Sequence, residues 1–400
     1  MNLTDLALQR AEVSDLKEFQ VREGLVPSGK EDVLTMQRLA PYLLGYDRYM
    51  IKPGDTYYSL AKTYGTNVPC ILMANPNGDP NRLIPGEYLN MPMHFPVVPT
   101  TIPMTSELMQ LCIQGLIVRY PFLLHHTLAV TKYGRSVPVL HMGLNDRAVL
   151  YNASHHANEW ITSTILLKFL EDYAYAVSTR GKIFGVDALT LFRNSQLYLV
   201  PMVNPDGVDL VTGAIATGSE QYLAAQKIAE NYPDIPFPDG WKANLLGVDL
   251  NLNYPADWDT AKEIKFEQGF TSPAPRDYVG SAALDQLESV GMVEFTSLVN
   301  PILTLSYHTQ GEVIYWKFLD KTPAGAEAIG EEFAQVSGYK LDDVPYASGF
   351  AGYKDWFIQD YQKPGFTIEA GLGENPLPLS DFDSIYEKNI GILTLGLQLP

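Results

Sequence analysis

The chain is poor in basic residues, in cysteine and in long apolar runs. Its 400 residues carry 28 Lys and Arg against 46 Asp and Glu, a formal net charge of −18 at pH 7. Such a surface repels polyanions, which argues against nucleic acid as a partner. The two cysteines, Cys70 and Cys112, are too few for a disulfide framework, so reduced thiols are expected. No run reaches the roughly 18 apolar residues of a membrane span, and the N-terminus lacks the basic and apolar regions of a signal peptide.

Proline is concentrated in residues 91–103, MPMHFPVVPTTIP, and this composition indicates a semi-rigid linker. Four hundred residues exceed a single ordinary core, so separate modules are expected on either side of it. The expected division is a helical segment at 1–46, a second small module at 47–94, the linker at 95–105 and a large C-terminal domain at 106–400.

His156 and Glu159 stand three positions apart at the predicted start of a helix. One helical turn would aim both side chains at one point, which is how a protein begins a zinc site. A catalytic zinc has three protein ligands, and His308, at the end of the apolar run 303–308, is the candidate for the third. His155 offers a second possible pairing with Glu159, at i,i+4, and spacing alone leaves that choice open.

The motif His156-Ala-Asn-Glu-Trp resembles the His-Ala-Arg-Glu-Trp motif of the zinc carboxypeptidases of the carboxypeptidase A family. Four further segments match in the family's order: Asn204-Pro-Asp-Gly207, Gly247-Val-Asp-Leu-Asn-Leu-Asn253, Ser306-Tyr-His308 and Phe366-Thr-Ile-Glu369. The resemblance covers roughly residues 105–400. It implies an α/β fold with a mixed, mostly parallel eight-stranded sheet flanked by helices. The helices most visible in the sequence are roughly 158–176 and 378–397.

The resemblance also implies roles for single residues. His156, Glu159 and His308 would hold one zinc ion, which activates water and polarises the scissile carbonyl. Glu369 would take the proton from the attacking water and pass it to the leaving nitrogen. The matching residues therefore predict a metallopeptidase.

Three more positions follow from the same resemblance. Asp249 would orient the first zinc histidine by accepting its other ring N–H. Lys242 occupies the place of an arginine that stabilises the oxyanion, and lysine supplies the charge without the bidentate fork. Asn251 would contact the substrate.

Two departures from the family pattern concern the substrate. Carboxypeptidases hold the terminal carboxylate of their substrate with the arginine of Asn-Arg-Asn, and that position is Leu252 here. The arginine of His-Ala-Arg-Glu is replaced by Asn158. The enzyme is therefore not expected to require a free α-carboxylate beside the cleaved bond, and endopeptidase action is predicted.

Lys354 stands where the family selects the side chain on the leaving side of the cleaved bond, and a lysine there favours a distal carboxylate. The alternative is that Lys354 lies on an exposed helix face. Glu312 could meet an amino group, and the two charges together would suit meso-diaminopimelate. Tyr346 directly precedes Ala-Ser-Gly and could cap the substrate, although Pro345 takes the position that aligns with the family's tyrosine.

Residues 49–92 resemble a LysM module, a strand, two helices and a strand that bind N-acetylglucosamine-containing glycans such as peptidoglycan. A small packing domain without a ligand is the alternative. Residues 1–46 resemble the C-terminal half of a helical peptidoglycan-binding module, which could bind the wall or only pack against its neighbour.

Together, these resemblances imply a zinc peptidase of bacterial cell-wall peptides that cleaves the γ-D-glutamyl-meso-diaminopimelate bond. The alternatives are a zinc carboxypeptidase or amide hydrolase acting on other peptides, or a wall-binding protein with an inactive peptidase domain. The expected partners are the glycan, through LysM, and the muropeptide substrate, with neither nucleic acid nor membrane. The lack of a visible leader predicts a cytoplasmic enzyme, or one released by sporulation or lysis, that acts on the wall or its fragments.

Overall fold

The computed structural model describes residues 2–399, and contacts between residues divide the chain into two compact units. The first unit comprises the chain up to residue 102 together with 107–124 and 170–182, and the second comprises 103–106, 125–169 and everything from 183 onward. The module boundaries near residues 46, 94 and 105 stay predictions.

The helices and strands of the N-terminal part are α1 (Leu3–Arg10), α2 (Leu16–Arg22), α3 (Val33–Leu44), β1 (Tyr46–Met50), α4 (Tyr57–Thr63), α5 (Val68–Ala74), β2 (Tyr88–Pro92) and α6 (Ser106–Arg119). Helices α1 to α5 begin at short polar side chains that accept a hydrogen bond from the first helical turn. Asp15 caps α2 and Asp32 caps α3 in this way, and Gly45 ends α3 in the left-handed conformation.

The strand–helix–helix–strand order predicted for residues 49–92 is confirmed. β1 and β2 pair in antiparallel fashion over their whole lengths, from Tyr46 opposite Pro92 to Met50 opposite Tyr88. The two helices between them carry the buried apolar side chains that close this small core, among them Leu60 and Ile71.

Part of the proline-rich segment is held by a buried carboxylate within the first unit. The backbone N–H groups of Val97 and Val98 donate to the two oxygens of Glu171, at 2.7 and 3.0 Å. Because all three residues are buried, these bonds fix the backbone of the segment at this point.

The rest of the chain forms β3 (Leu124–Val130), β4 (Ser136–Gly143), β5 (Ala148–Ala153), α7 (Ile161–Thr179), β6 (Lys182–Ile183), β7 (Val186–Asp187), α8 (Ala188–Asn194), β8 (Gln196–Val200), α9 (Pro205–Val211), α10 (Glu220–Ala229), α11 (Trp258–Glu267), α12 (Leu287–Val299), β9 (Leu303–His308), β10 (Val313–Tyr315), α13 (Ala326–Ser337), β11 (Lys340–Asp342), α14 (Tyr353–Tyr361), β12 (Gly365–Glu369) and α15 (Phe382–Gln398).

The predicted eight-stranded mixed sheet is confirmed, with the strand order β11-β10-β12-β9-β5-β8-β4-β3. Its four central strands, β12, β9, β5 and β8, are parallel to one another, whereas β10 and β4 run antiparallel to β12 and β8. Every residue of β5 and β9 is buried, as expected for central strands covered on both faces.

The two helices predicted at roughly 158–176 and 378–397 are confirmed as α7 and α15. Each begins a few residues later than predicted because a short 3₁₀ turn precedes it, at Ala157–Glu159 and at Leu379–Asp381. Within residues 2–399, no helix has both the length and the apolar character needed to cross a membrane.

Candidate active site

Three parallel strands end at the same edge of the sheet and bring the predicted site residues to it. His308 is the last residue of β9 and Glu369 the last of β12, and the two lie opposite each other in register. The chain leaves the neighbouring strand β5 at Ala153 and reaches His156 two residues after Ser154, which has a left-handed backbone. Ligands of open α/β sheets bind at this carboxyl edge.

Two imidazoles and one carboxylate converge here. Nδ1 of His156 lies 2.9 Å from Oε1 of Glu159, and Nδ1 of His308 lies 2.9 Å from Oε2 of the same carboxylate. The two Nδ1 atoms are 3.2 Å apart, and one donor atom from each of the three residues lies within 4.8 Å of the others. Two histidines and a glutamate are a known donor set of catalytic zinc, so the residues fit this metal.

His155, the alternative partner of Glu159, is turned away from this cluster. Its Nε2 lies 2.9 Å from the hydroxyl of Tyr254, and its ring stacks beside that of His308. Burial holds the pKa of His155 well below its ordinary value, so the ring is neutral. The geometry therefore favours His156 as the ligand.

Asp249 holds the far side of the first histidine. Its Oδ1 lies 3.2 Å from Nε2 of His156, which leaves Nδ1 of that ring directed at the cluster. Burial would lower the pKa of His156, but the carboxylates of Glu159 and Asp249 raise it to about 9. Burial would likewise raise the pKa of Asp249, but His156 and Lys242 keep it below its ordinary value.

Glu159 is surrounded by hydrogen-bond donors. Nζ of Lys242 lies 3.2 Å from Oε1, and the backbone N–H of Thr309 donates to Oε2 at 3.2 Å. The side-chain amide of Asn375 approaches Oε1 to 3.5 Å. Burial opposes ionisation, but His156 and Lys242 hold the pKa of Glu159 well below its ordinary value, so this side chain is a carboxylate ready to bind a cation.

Glu369 has the opposite electrostatic environment. Burial, followed by the nearby Glu159 carboxylate, raises the pKa of Glu369 to about 8. A carboxyl group with such a pKa can accept and return a proton near neutral pH, as a general base and acid must. For Lys242, burial would lower the pKa, but Glu159 raises it, so its ammonium stays charged.

Two cavities meet at the cluster. The first cavity encloses about 250 Å³, and Asn251, Leu252, Lys354 and Asp355 are part of its lining. The second encloses about 480 Å³, and Asn158, Asp239, Glu374 and Asn375 are part of its lining. The residues common to both cavities are His156, Lys242, Arg276, Tyr315 and Glu369.

Lys354 contributes a buried ion pair to the first cavity. The residue is 3% exposed, so the alternative of an exposed helix face is wrong. Its Nζ lies 2.5 Å from Oδ1 of Asp355 and donates to the carbonyl of Lys317 at 2.6 Å. The cavity therefore presents one positive and one negative group side by side, but the negative group is Asp355, whereas the sequence predicted Glu312.

Two of the predicted substrate contacts do not join the cavities. Oε1 of Glu312 lies 2.5 Å from Nζ of Lys388, and Glu312 lines neither cavity, because its side chain is directed toward α15. Tyr346 is 69% exposed and packs on Phe350, although its neighbour Pro345 does line the first cavity. Asn251 lines that cavity, and its Oδ1 accepts from the Tyr353 amide at 3.0 Å.

Sequence reasoning missed several residues of the site. Oδ1 of Asp277 accepts from Nζ of Lys265 at 2.6 Å, and Oδ2 of the same carboxylate lies 2.6 Å from Nε of Arg276. Asp277, Lys265 and Arg276 all line the first cavity. No local motif marks these residues. Tyr315 reaches the site through the strand register, which pairs it with Thr367, two residues before Glu369 on the same strand.

An α/β sheet with a His–Glu–His cluster and a buried glutamate of raised pKa at its carboxyl edge is typical of a zinc-dependent hydrolase. A family model for zinc carboxypeptidases matches residues 112–390, and a LysM domain model matches residues 49–92. The chain belongs to the zinc carboxypeptidase family and is a metallopeptidase that uses zinc.

Among curated proteins, gamma-D-glutamyl-L-diamino acid endopeptidase 1 of Lysinibacillus sphaericus is 42% identical over 287 residues, covering 72% of this chain and 70% of the relative. The uncharacterized protein YqgT of Bacillus subtilis (strain 168) is 37% identical over 287 residues, covering 71% and 74%. Bovine thrombin-activatable fibrinolysis inhibitor, solved with tick carboxypeptidase inhibitor, shares the fold with a TM-score of 0.57 at 16% identity, over 74% of this chain and 96% of that one. Carboxypeptidase A from Helicoverpa armigera aligns with a TM-score of 0.55 at 18% identity, over 74% and 72%.

Proposed function

We propose that this metallopeptidase hydrolyses the bond between γ-D-glutamate and meso-diaminopimelate in peptidoglycan stem peptides. The observation that carries the proposal is the chemistry of the first cavity. Leu252 stands where a carboxypeptidase needs a cation for the terminal carboxylate, and the lining of the cavity contains the buried ion pair Lys354 and Asp355. The name of the Lysinibacillus relative supports the same bond class.

The ion pair suits the far end of diaminopimelate, which carries a carboxylate and an ammonium on one carbon. The carboxylate would face Lys354 and the ammonium would face Asp355, which takes the acidic role that the sequence assigned to Glu312. Because the pair is almost completely buried, contacts to it are made in a poorly screened environment. Asn251 lies on the same cavity and is proposed to contact the substrate. Tyr346, which is exposed and follows Pro345 of the lining, is proposed to cap the substrate once it is bound.

The roles of the remaining groups follow from their surroundings. His156, Glu159 and His308 would hold zinc, which when bound would lower the pKa of a water ligand to about 7 and polarise the scissile carbonyl. Glu369, which lines both cavities at the cluster, takes a proton from the attacking water and returns it to the leaving nitrogen. Lys242 stabilises the negative charge that develops on the carbonyl oxygen.

The LysM domain is proposed to bind the N-acetylglucosamine-containing glycan and so to associate the enzyme with the cell wall. A surface cavity of about 380 Å³ lies between residues 55–58 and 80–83, beside Tyr58, which is 77% exposed. An exposed aromatic ring offers an apolar face and a polar hydroxyl to a sugar. The net charge of −18 gives no general attraction to an anionic wall, so attachment depends on this domain.

Mass spectrometry of muropeptides digested by the zinc-loaded enzyme tests the proposal. A disaccharide tetrapeptide should yield the disaccharide L-alanyl-D-glutamate and the dipeptide diaminopimelyl-D-alanine. Release of D-alanine alone would identify a carboxypeptidase, and cleavage between lactate and L-alanine would identify an amidase. An intact muropeptide would favour a wall-binding protein with an inactive peptidase domain. Each of these three results contradicts the proposal.

A further inference from the structure

Arg276 lies where the two cavities of the site meet, and the reaction proposed above leaves it without a role. It lines both cavities together with His156 and Glu369, so it is close to the position of the scissile bond. Its side chain is 41% exposed, which makes it accessible to a substrate. An arginine at such a place can bind a carboxylate through two parallel hydrogen bonds.

A γ-glutamyl substrate has a carboxylate on the acyl side of the cleaved bond that an ordinary peptide lacks. The γ-carboxyl group forms the peptide bond, so the α-carboxyl group of the same residue stays free, two methylene groups and the α-carbon away from the scissile carbonyl. If the first cavity takes the leaving diaminopimelate, this carboxylate extends toward the second cavity. Its recognition there requires a cation.

The lining of the second cavity offers two cations, Lys242 and Arg276, among several carboxylates. Lys242 is already engaged, because its Nζ lies 3.2 Å from Oε1 of Glu159. Arg276 uses only Nε, which is 2.6 Å from Oδ2 of Asp277. In the part of the chain that the structure describes, residues 2–399, no partner is found for its two terminal nitrogens.

Asp277 positions the guanidinium without cancelling its charge. The same carboxylate also pairs with Lys265, whose Nζ lies 2.6 Å from Oδ1. The group of three therefore contains two cations and one anion and retains a net positive charge. The anchored Nε fixes the direction of the fork, so less conformational entropy is lost when a carboxylate binds.

We infer that Arg276 binds the free α-carboxylate of the γ-linked D-glutamyl residue and makes the enzyme selective for this residue over its α-amidated form, D-isoglutamine. This inference rests on the proposed function. It assigns the acyl side of the substrate to Arg276, separately from the leaving side assigned to Lys354 and Asp355.

The test compares two peptides that differ only at this carboxyl group, L-Ala-γ-D-Glu-meso-diaminopimelate and its D-isoglutaminyl counterpart. The wild-type enzyme should have a kcat/KM about 10- to 150-fold higher for the free acid, the range expected for a charge-assisted contact. Arg276→Gln should lower kcat/KM for the acid by that factor and leave the amidated peptide unchanged. Arg276→Lys should retain part of the preference, since it keeps the charge and loses the fork.

Arg193→Gln is the matched control, because Arg193 is an exposed arginine of α8 that lines neither cavity. Zinc content and circular dichroism of each variant monitor the fold. An unchanged acid preference in Arg276→Gln, an equal loss on both peptides, or equal rates for both peptides with the wild-type enzyme would each overturn the inference. If the zinc-loaded wild type cleaves neither peptide at the glutamyl bond but cleaves another bond of the stem, the proposed function itself fails.

Discussion

Replacing Lys354 tests how the first cavity recognises the leaving residue, but the replacement also breaks a buried ion pair. Lys354 and Asp355 are 3% and 4% exposed, and their charged atoms lie 2.5 Å apart. Removing one member of such a pair destabilises a protein by about 3–5 kcal/mol, because the other charge stays buried. The carbonyl of Lys317 would lose its donor as well.

The informative variant is therefore Lys354→Met/Asp355→Asn, which removes both charges. Asparagine keeps an oxygen that can accept from the Gly352 amide, a bond that Oδ2 of Asp355 makes at 3.3 Å. We expect this double variant to recover most of the stability that Lys354→Met alone loses, as measured by thermal unfolding. Its metal content should equal that of the wild type, since neither residue belongs to the His–Glu–His cluster.

The assay compares kcat/KM for three stem peptides. The first has a free distal carboxyl group on diaminopimelate, the second has that group amidated, and the third has lysine in place of diaminopimelate. One charge-assisted contact contributes about 1.5–3 kcal/mol, so the wild-type enzyme should prefer the free carboxyl by about 10- to 150-fold. The double variant should treat the peptides alike. Extending diaminopimelate with D-alanine should not stop hydrolysis, because Leu252 provides no clamp for the α-carboxylate.

Lys388→Met/Glu312→Gln is the control, since this pair has the same 2.5 Å separation and lines neither cavity. It should keep the wild-type preference. A double variant of Lys354 and Asp355 that folds, binds zinc and still discriminates among the peptides would refute the assignment. The distal carboxylate would then be recognised by another cation of the cavity.

His308→Ala should lose both zinc and activity in metal analysis and steady-state kinetics, whereas Glu369→Gln should keep zinc and lose about 10²- to 10⁴-fold in kcat, because only the proton carrier is gone. Tyr58→Ala should lower the fraction of protein that sediments with insoluble peptidoglycan and leave hydrolysis of soluble peptides unchanged, because a wall-binding domain raises only the local substrate concentration. Replacement of another exposed tyrosine, Tyr175→Ala, is the control. Burial raises the pKa of Glu288 from 4.5 to about 7, so its neutral form stabilises the fold fully below pH 4.5 and that stabilisation is lost as the pH rises through 7. Glu288→Gln should therefore remove about 3 kcal/mol of pH-dependent stability between pH 4 and 9 in urea unfolding.

Each of these expectations has a result that contradicts it. Stoichiometric zinc in His308→Ala would exclude that histidine as a required ligand, and full activity in Glu369→Gln would remove the carboxyl group from the mechanism. Equal pelleting of Tyr58→Ala and wild type would separate this tyrosine from glycan binding. Parallel stability–pH curves for Glu288→Gln and wild type would show that the carboxyl group is solvated in the native state.

Much of the site could be predicted from the sequence because its signals are local or lie at strand ends. His156 and Glu159 are one turn apart, which brings them to one place whether the turn is α-helical or 3₁₀. His308 and Glu369 each end a buried apolar run, and parallel neighbouring strands bring such ends to one edge. The strand–helix–helix–strand order of residues 49–92 is similarly local, since turns and caps mark its elements.

Which charges the two cavities offer to a substrate was determined only by the tertiary structure. Lys354 and Glu312 are equally plausible substrate contacts in the sequence, where no motif marks Arg276. The partners of the three differ in kind: Asp355 neutralises the first and Lys388 draws the second toward α15, whereas within residues 2–399 Arg276 pairs only through Nε. Pairing of this kind depends on which side chains meet after the sheet and its loops have closed. Because Coulomb energy depends on distance in space and on burial, sequence spacing cannot determine which charges remain available to a substrate.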